Sequence, residues 1–377
     1  MSAKPDPKLP VKESKFIRAI WALPLLLNTY GASQTMGVLV QDLAPALLAQ
    51  VKAATIDFGD GTETVGLVKK FFGVAGLDGF LSVLVTFFTP LLDGGHDRLG
   101  SLQATAFLGD LIPLQAIMYV EGVRRGNRMT ATSLLPTLFG IAYQAKGVGY
   151  VLPIYFFLHH IQLPLENYQK PEDRLTRVSA VKTIIPTLAL TFILPTYIML
   201  STPGLANRQW INGLFWQLFP LYGAICQQVL GLFVKDTTEK DRVSNPEADM
   251  PYLRLTYGFT AIIAAALNLY VRLASPFPLK DVFFNDISSP SAAATLITGT
   301  ARFLRYDQIF SFGAGILWIL LSFKDLKKAG KTQAGWVKII GAFAGATLAF
   351  GPGSAMVGMW AWREEILVNR KSALKKQ

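Results

Sequence analysis

A succession of apolar stretches, each long enough to cross a bilayer and parted by short charged or turn-forming segments, constrains this chain more than any other feature. The hydrocarbon core of a membrane is roughly 30 Å thick, so a spanning helix needs about 20 mostly apolar residues. Stretches of that kind cover residues 17–39, 71–92, 101–120, 132–160, 181–201, 209–234, 252–272, 307–323 and 336–360. They are too long and too continuously apolar for the alternating strands of a membrane barrel, and only helices or closed barrels satisfy backbone groups in lipid. The expected fold is all-α, a polytopic transmembrane helical bundle of about eight or nine spans around a central apolar cavity. Residues 1–16 are expected to form a cytosolic N-terminal tail, 17–365 a single transmembrane domain and 366–377 a basic C-terminal tail.

Composition agrees with lipid as the solvent. Of 377 residues, 51% are hydrophobic and only 16% charged, with a mean hydropathy of +0.36. The formal charge of +11 would raise nucleic acid as a partner in a soluble protein. Here Lys and Arg are spread over loops and tails, with no basic run interleaved with aromatics, so anionic headgroups explain them and no nucleic-acid partner is expected. Cys226 is the single cysteine, which rules out an intrachain disulfide and a cysteine metal cage. The opening run MSAKPDPKLPVKESK lacks the apolar core and cleavage site of a signal peptide, so the first span is expected to act as an uncleaved insertion signal, placing the protein in the endoplasmic reticulum membrane.

Loop charge suggests an orientation. The N-terminal tail carries Lys4, Lys8, Lys12, Lys15 and Arg18, and the loop 324–338 carries Lys327, Lys328 and Lys331, so both are expected on the cytosolic side. Nine spans would then put the Arg124, Arg125, Arg128 loop and the basic C-terminus on the opposite side, against the same rule. Either the fourth or the ninth stretch is then not a simple span, or the rule fails in this chain. The fourth holds Gly147 and Gly149 at its middle and reads as one kinked helix or two short segments. Prolines 113, 136, 153, 186, 195, 220 and 352 lie inside spans and point to kinked helices around a cavity. No internal repeat marks the chain as an inverted-repeat transporter.

An ionisable residue at membrane depth is costly and by default marks a site. Asp78 in GLDGF and Asp110 in GDLIPLQ both fall inside spans. In hydrocarbon surroundings a carboxyl group can keep its proton and act as a general acid at neutral pH; the competing reading is a hydrogen bond between helices. Asp307, in RFLRYDQIF at the expected mouth of the eighth span, has Arg302, Arg305 and Tyr306 beside it. An arginine partner would suit it to a charge clamp or general base. Asp93 and Asp97 flank His96 in LLDGGHDRLG, and ENYQKPEDR adds Glu166, Asn167, Glu172 and Asp173 on what should be the same side. Two acidic clusters facing one mouth would hold Mg²⁺ against a diphosphate, although charged loops are ordinary in membrane proteins. His159 and His160 point about 100° apart on a helix and read as interface histidines. Trp210, Phe215, Trp216, Phe219 and Tyr222 cluster in the sixth stretch, and aromatic faces attract cations without offering a lone pair.

The C-terminal run FAGATLAFGPGSAMVGMWAWREEIL, an apolar helix broken at Gly351, Pro352 and Gly353 and ending in Trp360, Trp362, Arg363, Glu364 and Glu365, is the most distinctive in the chain. With RYDQIF and the nine-span layout it resembles the fungal membrane-bound terpene cyclases of the ascofuranone type, related to the fumagillin sesquiterpene cyclase. The resemblance implies an enzyme of fungal secondary metabolism that folds a farnesyl-derived chain and cyclises it through a cation, beside neighbouring biosynthetic enzymes. In the ascofuranone branch a terminal epoxide on a prenylated aromatic is protonated, with no cofactor. Asp78, Asp110 or Glu364 would be the acid and Asp307 a further catalytic candidate, with Trp210, Trp216, Tyr222, Arg305, Tyr306 and Arg363 against the lipophilic isoprenoid substrate. In the fumagillin branch diphosphate is lost to Mg²⁺, which would fall to Asp93, Asp97, Glu172 and Asp173. ENYQKPED only approximates the NDxxD motif of prenyltransferases with a UbiA-like fold, which counts against that branch. A third reading, a small-molecule or lipid transporter, would make the intramembrane acids proton carriers.

Overall fold

The computed structural model describes residues 12–59, 61, 64–95, 97–168, 171–288 and 294–368. Among them the regular structure is helical apart from one two-residue antiparallel pair, β1 (Thr55–Ile56) and β2 (Val65–Gly66), and an isolated bridge between Arg124 and Thr176. α1 (Lys15–Ala32) starts at Ser14, whose side chain caps Ile17 N, and runs through a π-turn (Ser33–Gly37) into α2 (Val38–Ala53). The first apolar stretch thus continues well past residue 39, until Ala54 adopts a left-handed conformation. After the β pair come α3 (Ala75–Asp93) and α4 (Arg98–Gly122), the latter capped by Asp97.

The fourth stretch is two helices, α5 (Pro136–Lys146) and α6 (Val148–Gln162), parted at Gly147 with φ of 97°, a conformation that favours glycine. α7 (Ile184–Ser201) follows, with a π-segment at Ala189–Ile193. The sixth stretch is also divided, into α8 (Leu205–Ile211) with a π-turn to Trp216, and α9 (Phe219–Leu232) with Pro220 in its first turn. Then come α10 (Met250–Ala274) and the longest helix, α11 (Leu296–Lys328), which starts at a Thr295–Thr298 capping box. The eighth stretch therefore begins eleven residues before its apolar edge at 307, and Asp307 stands inside the helix, away from its mouth.

The ninth stretch turns back on itself. α12 (Trp336–Phe350) ends at Gly351, φ 90°, and α13 (Pro352–Val368) returns against it. A side chain at Gly351 would collide with Asn268, its Cβ 2.4 Å from the amide nitrogen.

These two breaks remove the charge conflict. Glu13 meets Lys328 at 2.7 Å, and Arg18 meets Asp325 at 2.8 Å, so the N-terminal tail and the end of α11 lie together. Arg18 also donates to the His160 carbonyl at the end of α6. Neighbouring His159 lies 3.2 Å from Glu121 at the end of α4, and Arg124 reaches Glu364 of α13 at 2.6 Å. The tail, the Arg124–Arg128 loop, the 324–338 loop and the end of α13 all gather at one end of the bundle. Both stretches that the charge pattern questioned depart from simple spans.

Among the described residues four helices, Ala75–Asp93, Ile184–Ser201, Met250–Ala274 and Leu296–Lys328, are long and apolar enough to cross a membrane by length and composition. α4 packs along α10 and α13, and α6 lies between α1 and α11. Trp318 of α11 stacks on Trp360 of α13 at 4.1 Å, and both are fully buried. Large apolar side chains also cover outer faces: Leu27, Ile262, Leu273, Val337 and Leu348 are each at least 68% exposed.

Candidate functional site: an aromatic cavity with one carboxylic acid

A cavity of about 370 Å³ lies between α2, α3, α4, the α5–α6 break, the α7–α8 corner and α11, within the size range of small-molecule sites. Phe80, Phe87, Phe88, Phe107, Trp216 and Phe303 supply aromatic wall. They pack edge to face: Phe87 against Phe88 at 5.3 Å and Phe303 at 5.1 Å, and Phe88 against Trp216 at 5.5 Å. Such rings present electron-rich faces that attract a cation.

Asp307 is the one carboxylic acid among the described residues lining this cavity. It is 3% exposed, and its Oδ1 accepts the Gly149 N–H in a short hydrogen bond. The Gly147–Val148–Gly149 break makes that approach possible. A Cβ at Gly147 would lie 3.2 Å from Asp307 Oδ1, and one at Gly149 would lie 2.7 Å from the Asp307 carbonyl oxygen. The N-terminal end of α6 thus points unpaired N–H groups and the positive end of its dipole at this carboxyl group, a preformed cradle for a carboxylate. Other polar groups of the wall bond to residues behind it. Gln217 Nε2 donates to Asn212 Oδ1 at 3.1 Å, Trp216 Nε1 to Thr196 Oγ1 at 3.1 Å, and Arg208 Nε to the Thr202 carbonyl at 2.8 Å.

The expected arginine partnership of Asp307 is not formed. Arg305 Nε donates to the Val282 carbonyl at 3.1 Å, and Tyr306 Oη to the Ile287 carbonyl at 2.6 Å. On a helix, residues two and five apart project about 160° and 140° away from each other, so sequence neighbours of Asp307 face elsewhere. Arg305 and Tyr306 do not line the cavity.

The other expected acids lie outside the cavity lining and bond elsewhere. Asp78 accepts from Phe72 N at 2.8 Å, Gly73 N at 2.9 Å and Phe71 N at 3.2 Å, closing the loop that precedes α3. Asp110 accepts from Gly353 N at 3.0 Å, away from the cavity lining. Glu364 sits in a buried ionic cluster with Arg124 (2.6 Å), Arg363 (2.7 Å) and Arg174 (3.2 Å). Arg363 also lies 4.3 Å over the Trp360 ring and away from the cavity. Of the aromatic trio, Trp216 lines the cavity, whereas Trp210 is 43% exposed and Tyr222 donates to the Leu214 carbonyl at 2.9 Å.

The two acidic clusters do not face one mouth. Asp97 caps the first turn of α4, with Asp93 just before it at the end of α3. Glu172 and Asp173 sit beside the loop that follows the other end of α4, where Arg124 Nη1 donates to the Arg174 carbonyl at 2.6 Å. A 25-residue helix separates them, about 37 Å at 1.5 Å per residue. Among the described residues no group of three or more His, Cys, Asp or Glu is placed to hold a metal ion; His96 lies outside the described residues. Sequence reasoning missed the phenylalanine wall, although Phe80 and Phe87, seven residues apart on one helical face, carried a signal.

Comparison with known proteins places the chain in a family. The CtvD domain matches residues 44–368. The FAD-dependent monooxygenase BOA8 of Botryotinia fuckeliana (strain B05.10) is 33% identical over 270 residues, 71% of this chain and 34% of that protein. The FAD-dependent monooxygenase anuJ of Penicillium roqueforti (strain FM164) is 30% identical over 374 residues, 98% of this chain and 44% of that one. The chain thus spans less than half the length of these two relatives. Terpene cyclase ascI of Acremonium egyptiacum is 27% identical over 281 residues, 70% of this chain and 71% of that protein. No solved structure matches. The chain belongs to the CtvD domain family, among whose fungal relatives are proteins named terpene cyclases.

Proposed function

We propose that this chain is an integral membrane terpene cyclase of fungal meroterpenoid metabolism, in which Asp307 starts cyclisation by protonating the terminal epoxide of a farnesyl-derived chain. The observation that carries the reading is the lone Asp307 carboxyl group, among the described residues, in a largely apolar, aromatic-walled cavity. The proton passes from Asp307 to the epoxide oxygen as the C–O bond breaks, leaving an alcohol and a positive carbon. Chain alkenes attack that carbon in turn, and loss of a proton ends the sequence. The Gly149 N–H receives the carboxylate left behind, and the wall rings stabilise the travelling charge.

The names of the longer relatives support an epoxide trigger. A flavin monooxygenase inserts one oxygen atom, and epoxidation of an alkene is a reaction of that class, so a monooxygenase would be the neighbouring enzyme that supplies the substrate. The exposed apolar faces of α1, α10 and α12 suit a bilayer, taken to be that of the endoplasmic reticulum. The diphosphate-dependent alternative is disfavoured because its acidic clusters stand at opposite ends of α4.

The test is incubation of microsomes containing the protein with an epoxidised farnesyl-phenol and, separately, with farnesyl diphosphate, each with and without EDTA. Cyclisation of the epoxide that EDTA leaves unchanged is the expected result. Magnesium-dependent consumption of the diphosphate, or no product from either, overturns the proposal.

A further inference from the structure

The cavity does not end blindly. Tyr143 and Val148 line it and also line a void of about 20 Å³ behind it, walled by Leu152, Phe192 and Phe219. Gln115 and Met118 line that void and a third space of about 770 Å³, rimmed by Arg125, Arg128 and Arg177 near the clustered-loop end of the bundle. Three spaces therefore lie in series along α4. The middle one, large enough for about one water molecule, is too narrow for a hydrocarbon chain.

The partition is Tyr143. Its ring, 5% exposed, leans on Phe219 at a centroid distance of 6.0 Å. Its Oη donates to Gln115 Oε1 at 2.8 Å, which ties α5 to α4 across the passage. The bond holds the ring in place, because swinging it aside would bury an unpaired amide oxygen.

We infer that Tyr143, held by Gln115, sets the length of prenyl chain the cavity accepts, and that removing its ring opens the cavity toward the arginine-rimmed space so that a longer chain fits. Tyr143 acts here through shape: it takes no proton and carries no charge. This rests on the cyclase reading for the identity of the occupant, a prenyl chain bearing a polar head.

The experiment uses the full chain in detergent and in microsomes. Thermal stabilisation by unreactive farnesyl (fifteen-carbon) and geranylgeranyl (twenty-carbon) amphiphiles sharing one head group reads chain length without turnover; competition between the matching epoxides reads it in products. The wild type is expected to be stabilised more by the shorter chain. Tyr143→Ala is expected to shift the longer-to-shorter preference about tenfold, as expected of roughly 1.4 kcal/mol. Tyr143→Phe, which keeps the ring and loses the Gln115 bond, should shift it less. If Tyr143→Ala does not accumulate, Tyr143→Val serves in its place. Equal stabilisation of the wild type by both chains, or an unchanged preference in the small-residue variant, overturns the inference. Lack of turnover with both epoxides while the stabilisation pattern holds would instead sink the cyclase reading and leave the length partition standing.

Discussion

Gly353 donates its backbone N–H to Asp110 Oδ1 at 3.0 Å, fastening the tip of the α12–α13 hairpin to the midpoint of α4. The first turn of α13 has no intrahelical partner for this N–H, and the buried Asp110 supplies one. Backbones here are nearly in contact, since a Cβ at Gly353 would lie 2.5 Å from the Asp110 carbonyl oxygen. Asp110→Ala should therefore cost about 1–3 kcal/mol of stability through the orphaned N–H. Asp110→Asn keeps an acceptor and should unfold in detergent close to the wild-type temperature, with cyclisation within a few-fold. Loss of turnover in a well-folded Asp110→Asn protein would return the acid's role to Asp110.

Asp307→Asn should behave in the opposite way. The amide oxygen still accepts the Gly149 N–H, so the protein should accumulate and unfold normally. Its turnover of the epoxide should fall by at least about 100-fold, the lower range for removal of a positioned general acid. The check is product formation per milligram of folded protein, and near-normal turnover would remove Asp307 as the donor.

Glu364 is a buried charge bonded by arginines, whereas Asp307 faces a cavity. It is 1% exposed and joins α13 to Arg124 and Arg174, while Glu121 at the end of α4 bonds Arg124, His159 and Trp360. Glu364→Gln takes one counter-charge away from three guanidinium groups, Arg124, Arg174 and Arg363, in the protein interior. Breaking a buried pair in that way costs roughly 3–5 kcal/mol, so the variant should accumulate poorly and lose its cooperative melt. A Glu364→Gln protein that folds normally and fails only in turnover would assign it the catalytic role instead.

Much of the bundle is legible in the sequence, because apolar length is a local property and nine stretches announce themselves without reference to neighbours. What stays hidden is which glycines turn a helix back. Gly147 and Gly351 look like kinks in an apolar run; they become breaks where Met36, Phe303 and Asp307 press on the first and Asn268 on the second, and those contacts join distant parts of the chain. The candidate site was half visible for a similar reason. Asp307 and Trp216 were singled out, and both line the cavity. Trp210, six residues from Trp216 and about 240° around a helix, was grouped with it by proximity in sequence alone. The arginines two and five residues before Asp307 project to other faces of the helix, so nearness in sequence suggests a clamp that the fold does not form.

At the clustered-loop end, Glu13, just ahead of α1, is held against α11 by Lys328 at 2.7 Å and Lys324 at 3.4 Å. Burial pushes its carboxyl pKa up, but hydrogen bonds and charge from Lys328 and Lys324 outweigh that and hold it below the usual 4.5. A carboxyl group whose folded pKa is depressed contributes stability that is fully present above its unfolded value and is lost as pH falls through the folded one. The tail should therefore stay docked at neutral pH and release in acid, below about pH 4.5. Limited proteolysis at the tail across pH 3 to 7, with an acid-tolerant protease, reads this directly. Glu13→Gln should show the released pattern already at neutral pH and lose the acid-dependent step. A pH profile identical in the variant and the wild type would mean that the buried Arg18–Asp325 pair alone anchors the tail.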